Sequence, residues 1–212
     1  MGFVKCPVCG NAQTSLNNSY TPLNTLDFYT CPVCGRYELS SFKQLDGSNE
    51  NHLASYLFYH AFFLTDIVEY RYHTIMPKEQ CDKYNNEFEN GNNTNGRPVH
   101  LDSQIVESWY PHSFSERIDK ILIYISDHLH HLGQPLQLSF EQALGLLFVD
   151  GKCDEERTSY INDDRFRDKK ECEVEIKYML DHLQKSNLID YTITSGNNYV
   201  TIQLQPDGYK RV

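Results

Sequence analysis

The sequence predicts an α+β chain: a small cysteine-bearing β lobe, then a mainly helical body that closes with a β-hairpin. Three observations carry this. The stretch "CPVCG" at residues 6–10 returns as "CPVCGRYELS" at 31–40. Apolar residues recur at helical steps through "HSFSERIDKILIYISDHLHHLG". Two β-rich runs near the end, "LIDYTIT" and "YVTIQLQ", are separated by "SGNN".

Composition sets the frame for these elements. At 212 residues the chain can be one domain with an appendage or two small domains. A main core of about 150 residues should bury roughly two-thirds of its unfolded surface, so no covalent staple is required. Hydrophobic residues make up 40% of the chain and aromatic residues 13%, a globular balance. No run approaches the roughly 18 apolar residues that would span a bilayer, which argues against a membrane partner. The start, "MGFVKCPVCG", has no charged region followed by an apolar stretch. A cytoplasmic location is the expectation. In a reducing compartment structural disulfides are disfavoured, and paired Cys-x-x-Cys turns point to a metal or redox site.

The two pairs are Cys6 with Cys9 and Cys31 with Cys34. A thioredoxin-like redox site needs one such turn at a strand-to-helix junction, whereas here there are two. Each carries proline between its cysteines and glycine after them. Proline fixes φ, and glycine lets the backbone turn so that its N–H groups point at thiolate sulfur. Four converging thiolates are the closed tetrahedral arrangement of structural zinc, with iron as a soft-ligand alternative. The gap "NAQTSLNNSYTPLNTLDFYT" is long enough for a hairpin, and "DFYT" and "RYELS" read as short strands around the second turn. By spacing, residues 1–45 are a zinc ribbon. Their large aliphatic side chains are mainly Val4, Leu16, Leu23, Leu26, Val33 and Leu39, too few to offset chain entropy. Metal binding supplies on the order of 10 kcal/mol to such a lobe, which is expected to unfold without it. With four protein ligands there is no open position for water, so the expected zinc is structural. Cys81, Cys153 and Cys172 stand alone and read as ordinary thiols.

Residues 46–98 form the second segment. "GSNENHLASYLFYHAFFLTDIVEYRYH" reads as a helix that becomes extended near "IVEYRYHTI". After Pro77, "KYNNEFENGNNTNGRP" is rich in Asn and Gly and is expected to be a disordered surface loop.

Residues 99–212 form the third. "HLDSQIVESWY" predicts a short extended entry and a helix capped at Asp102. A long helix follows, capped by Ser113 or Ser115 and ended by Gly133. Its core stripe is Ile118, Ile121, Leu122, Ile125, Leu129 and Leu132. "LSFEQALGLLFV" starts with Ser139 and Gln142 in capping-box spacing. A third helix of about 17 residues aligns Cys172, Ile176, Met179, Leu180 and Leu183. The β-rich runs and their Gly/Asn turn then complete the order of a winged helix, with the third helix as reader and "SGNN" as wing.

"CGRYELS", the helix "SFSERIDKILIYI" after a proline, "IKYMLDHLQKSNLIDY" and "VTIQLQPDGYKRV" together resemble a bacterial N-terminal module. In that family a winged-helix-like segment ends in a Pro-x-Gly-aromatic turn. It leads into a nucleoside 2-deoxyribosyltransferase-like or TIR-like effector domain, often in antiphage systems. The resemblance covers nearly the whole chain and implies a sensor or adaptor role with an effector subunit or other protein as partner. This chain departs from the family in stopping at "PDGYKRV" without an effector domain, and in carrying "YNNEFENGNNTNGRP" as an insertion. It is expected to be either an excised fragment or a stand-alone subunit.

Three function classes follow from these readings. The first is a zinc-binding sensor or adaptor. The second is a nucleic-acid-binding regulator; its candidate phosphate contacts are Arg165, Arg167, Lys169, Lys170 and Lys177. Charge argues against it, because duplex binding is dominated by phosphate neutralisation. The chain carries a formal −10. Within 165–186 six cations face Asp168, Glu171, Glu173, Glu175 and Asp181, a net of one positive charge. The third class is an enzyme with a dispersed site. No Gly-x-Ser-x-Gly elbow, phosphate-binding loop, His-Glu-x-x-His or Gly-x-Gly-x-x-Gly stands in the sequence, and no catalytic residue is assigned. His128 and His131 read as a solvated helix end complementing the helix dipole rather than a second metal site. The acidic runs "DEER" and "NDD" read as solvated loop.

Overall fold

The computed structural model describes residues 3–17, 26–40, 50–62, 70–91, 96–149, 152–153, 166–167, 169–194 and 199–212. The chain is a mixed α+β protein and divides into two compact units, Met1–Tyr110 and Pro111–Val212.

The first unit is built on a six-stranded sheet in sequential order. Strands β1 (Phe3–Val4), β2 (Thr14–Asn17), β3 (Leu26–Cys31) and β4 (Gly35–Ser40) pair antiparallel in succession. The chain then passes through helix α1 (Glu50–Tyr59) to β5 (Arg71–Thr74), and through α2 (Lys78–Glu89) to β6 (Arg97–His100). Both of these strands join in parallel, as helical crossovers require. Helix α3 (Ser103–Trp109) starts where Asp102 accepts the Ile105 N–H at 2.7 Å, the cap expected from sequence. Leu53, Leu57, Phe58, Met76, Leu101 and Val106 are buried here with Tyr37. The expected segment 46–98 lies within this unit, and β6 and α3 belong to it too.

Helix α2 takes up the first part of the expected loop, residues 83–89, which is a correction. Its composition is that of a loop, and Cys81 is its buried residue. Tertiary contacts hold it: Asn85 Nδ2 donates to the Pro98 carbonyl at 3.1 Å, and Arg97 meets Glu89 at 2.8 Å beside the Phe88 ring. Packing on β6 thus overrides weak local propensity. Residues 92–95 of that stretch lie outside the described residues.

In the second unit, α4 (Phe114–Asp127) begins with a complete capping box between Ser113 and Glu116. It buries Ile118, Ile121, Leu122 and Ile125. It ends earlier than expected, at the His128 cap rather than at Gly133. Leu129 and Leu132 therefore leave the stripe, and Leu132 is exposed. Strand β7 (Leu136–Ser139), which the sequence reading lacked, runs into α5 (Phe140–Leu146) through a Ser139–Gln142 capping box. After the two-residue strands β8 (Lys152–Cys153) and β9 (Phe166–Arg167), α6 (Lys169–Lys185) buries the predicted Cys172, Ile176, Met179, Leu180 and Leu183. It stops where Asn187 takes φ 56° and the Leu188 N–H returns to the Leu183 carbonyl.

The predicted hairpin is β10 (Ile189–Thr194) with β11 (Tyr199–Leu204), and β7 adds to β11. Residues 195–198 of its turn lie outside the described residues. The Pro-x-Gly-aromatic segment is a short helix, α7 (Pro206–Arg211), rather than a turn. Gly208 is required there, because a Cβ would collide with the Leu188 carbonyl oxygen. Among the described residues no helix is long and apolar enough to cross a membrane.

Candidate metal centre

The two repeated turns lie at corresponding places in the first unit, one between β1 and β2, the other between β3 and β4. Their glycines behave as the sequence reading requires: Gly10 has φ 82° and Gly35 φ 71°. At Gly35 any side chain would also collide with the Phe62 backbone, 2.7 Å from a Cβ. The turns aim backbone N–H groups at the leading sulfurs. Cys9 N points at Cys6 Sγ and Val33 N at Cys31 Sγ, each at 3.4 Å.

The sulfurs of Cys6, Cys9, Cys31 and Cys34 all lie within 4.8 Å of one another, and all four residues are buried. Cys9 and Cys31 approach to 3.6 Å, Cys6 and Cys34 to 4.0 Å. A tetrahedral ion with metal–sulfur bonds of about 2.3 Å separates its ligands by about 3.8 Å, and the Cys9–Cys31 and Cys6–Cys34 distances lie close to that value. The thiols are strongly coupled. Burial pushes Cys6 up, but bonds from Cys31, Cys34 and Cys9 outweigh it and hold Cys6 well below its usual value. Contact with Cys31 pushes Cys34 up.

One further group touches the cluster. Tyr37, fully buried on β4, places its hydroxyl 2.9 Å from Cys6 Sγ. Burial, and then the charge at Cys6, hold its phenol well above the usual range. The sequence reading missed it. No motif marks it; the β3–β4 register, which sets Tyr37 opposite Tyr29, places it only in the folded chain.

Polar groups also gather at the carboxyl ends of the parallel strands. Glu38, Thr74 and His100 occupy one row across β4, β5 and β6. Thr74 donates to Glu38, while His100 bonds the Met76 carbonyl and Asp102. On the alternate row His73 is buried, with Nε2 bonded to the His60 carbonyl at 3.0 Å. These bonds tie strand ends to one another.

Of the candidate phosphate contacts, Lys177 is the one whose side chain lies among the described residues. It is exposed on α6. Arg165 and the side chains of Arg167, Lys169 and Lys170 lie outside the described residues, as do "DEER" and "NDD". Glu171, Glu173 and Glu175 are also exposed on α6, with Val174 and Tyr178 exposed at 68% and 67%. His128 turns its Nδ1 to the Tyr124 carbonyl at 2.8 Å, and His131 is exposed. Cys81 and Cys172 are buried and form no disulfide.

No family model, curated protein or solved structure matches the chain.

Proposed function

We propose that this chain is a zinc-binding sensor or adaptor module of a bacterial antiphage defence system, working in the cytoplasm through recognition of a protein partner or signal. The observation that carries it is the closed set of four buried cysteine sulfurs at tetrahedral spacing. Such a set leaves no coordination position for a substrate, so the metal's role is to hold the β lobe. Two sulfur turns between antiparallel strands support a zinc ribbon. The second unit runs α4, β7, α5, the two-residue β8 and β9, α6, the β10–β11 hairpin and α7, with β7 on the second hairpin strand, and the helices followed by a hairpin support a winged helix. The placement in defence rests on the sequence resemblance.

Docking of a protein on α6 is favoured over phosphate tracking. The described part of that helix is acidic around Val174 and Tyr178, and the chain as a whole carries −10. Phosphate contacts need the opposite sign. The test is a salt-series binding assay of metal-loaded protein against mixed duplex and single-stranded DNA and RNA. Absence of binding at low salt is expected. Micromolar binding that weakens steeply with salt would overturn the adaptor reading in favour of a nucleic-acid regulator.

A further inference from the structure

We propose that Tyr37 is a positioning residue of the four-cysteine centre, its hydroxyl donating to the Cys6 thiolate and making Cys6 the least nucleophilic of the four ligands. This rests on the reading of the cysteines as a metal site.

The two "CPVCG" turns are sequence repeats, and each aims one backbone N–H at its leading sulfur at 3.4 Å, from Cys9 onto Cys6 in the first turn and from Val33 onto Cys31 in the second. A side chain sets the two leading cysteines further apart. Tyr37 Oη lies 2.9 Å from Cys6 Sγ, and among the described residues Cys31 receives no hydroxyl. A metal-bound thiolate can only accept, so in the loaded site the phenol is the donor.

The ring is fixed for this task. It is fully buried, and it stacks on Tyr29 from the directly opposed strand position, with centroids 5.2 Å apart and planes 18° apart. No rotation to solvent competes for the hydroxyl. A charge-assisted bond of this kind draws electron density from sulfur. Cys6 is thereby the ligand slowest to react with an electrophile, and Cys31, its counterpart in the repeat, lacks this protection. Their burial does not differ enough to mimic the effect, at 2% and 1% exposure.

The test uses the full chain loaded with zinc, and with cobalt(II) as a spectroscopic substitute. Tyr37→Phe keeps the ring and its stacking and removes the O–H. It should shift the sulfur-to-cobalt charge-transfer band to lower energy and speed metal loss to a chelator about tenfold. Tyr29→Phe, which leaves the Tyr37 hydroxyl in place, should leave the band unmoved. In the zinc-loaded wild type, alkylation mapped by mass spectrometry should reach Cys6 about tenfold more slowly than Cys31. That comparison needs no variant and decides the matter alone if Tyr37→Phe fails to load. Equal rates at Cys6 and Cys31, or an unmoved band in loaded Tyr37→Phe, would overturn the inference and leave the metal reading standing. A wild-type chain that binds no metal would overturn both.

Discussion

Glu38 and Thr74 occupy paired positions on two parallel strands and share a buried hydrogen bond of 2.9 Å, the threonine hydroxyl donating to the carboxylate. Burial pushes Glu38 above its ordinary 4.5, and the threonine bond pulls it part of the way back. The folded state therefore binds its proton more tightly than the unfolded chain. The stability this contributes is full below 4.5 and is lost as pH rises through the folded value. Urea titrations across pH should show Glu38→Gln removing this fall. Thr74→Val should cost about 1–3 kcal/mol at neutral pH, because it leaves a buried carboxylate oxygen without its donor.

His73 carries the opposite slope. Burial drives its imidazole down from 6.5 to about 4. Its contribution is full above 6.5 and is lost as pH falls from there to about 4, on the order of 3 kcal/mol in all. His73→Gln keeps a donor for the His60 carbonyl and should abolish the acid-side loss. In the wild type the two slopes partly cancel. Each variant alone should expose the other residue's trend, and a wild-type curve unchanged by either substitution would contradict both assignments.

The start of α4 gives a test in the second unit. Ser113 accepts from the Glu116 N–H, and Glu116 in turn accepts from Ser113 and His112. Ser113→Ala should lower stability by about 1 kcal/mol. Ser115, the alternative cap by sequence, instead accepts from Arg211 at the surface. Ser115→Ala should stay within about 0.5 kcal/mol. Thermal denaturation of the two variants side by side checks the difference.

The elements that were legible in the sequence are those whose own residues determine them. The paired cysteines with their proline and glycine are a local device, and the four sulfurs do converge. The α6 stripe and the α4 and α5 caps follow from periodicity and from side-chain reach. What was not legible depends on distant partners. Helix α2 forms although its sequence reads as loop, because β6 receives it. Strand β7 is only four residues long, and β11 pairs with it. Tyr37 carries no motif, and its place at Cys6 arises from strand register brought round by two turns. The row of Glu38, Thr74 and His100 likewise exists only once β5 and β6 join β4.

Metal removal should divide the molecule. The strands β1 to β4 hold few large aliphatic side chains, and a bound ion supplies on the order of 10 kcal/mol to such a lobe. Under a strong chelator, hydrogen exchange should lose protection across β1 to β4 while α4 and α6 keep theirs. The buried Ile121, Leu122, Ile125, Leu180 and Leu183 explain that persistence. Joint loss in both units would show that the lobe is not an independent metal-held element.

The most direct measurement is native mass spectrometry for metal stoichiometry, joined to X-ray absorption at the zinc edge. One zinc per chain, surrounded by four sulfurs at about 2.3 Å, is the predicted result. A protein isolated under reducing conditions that carries no metal, or a zinc with nitrogen or oxygen in its coordination shell, would contradict the four-cysteine centre.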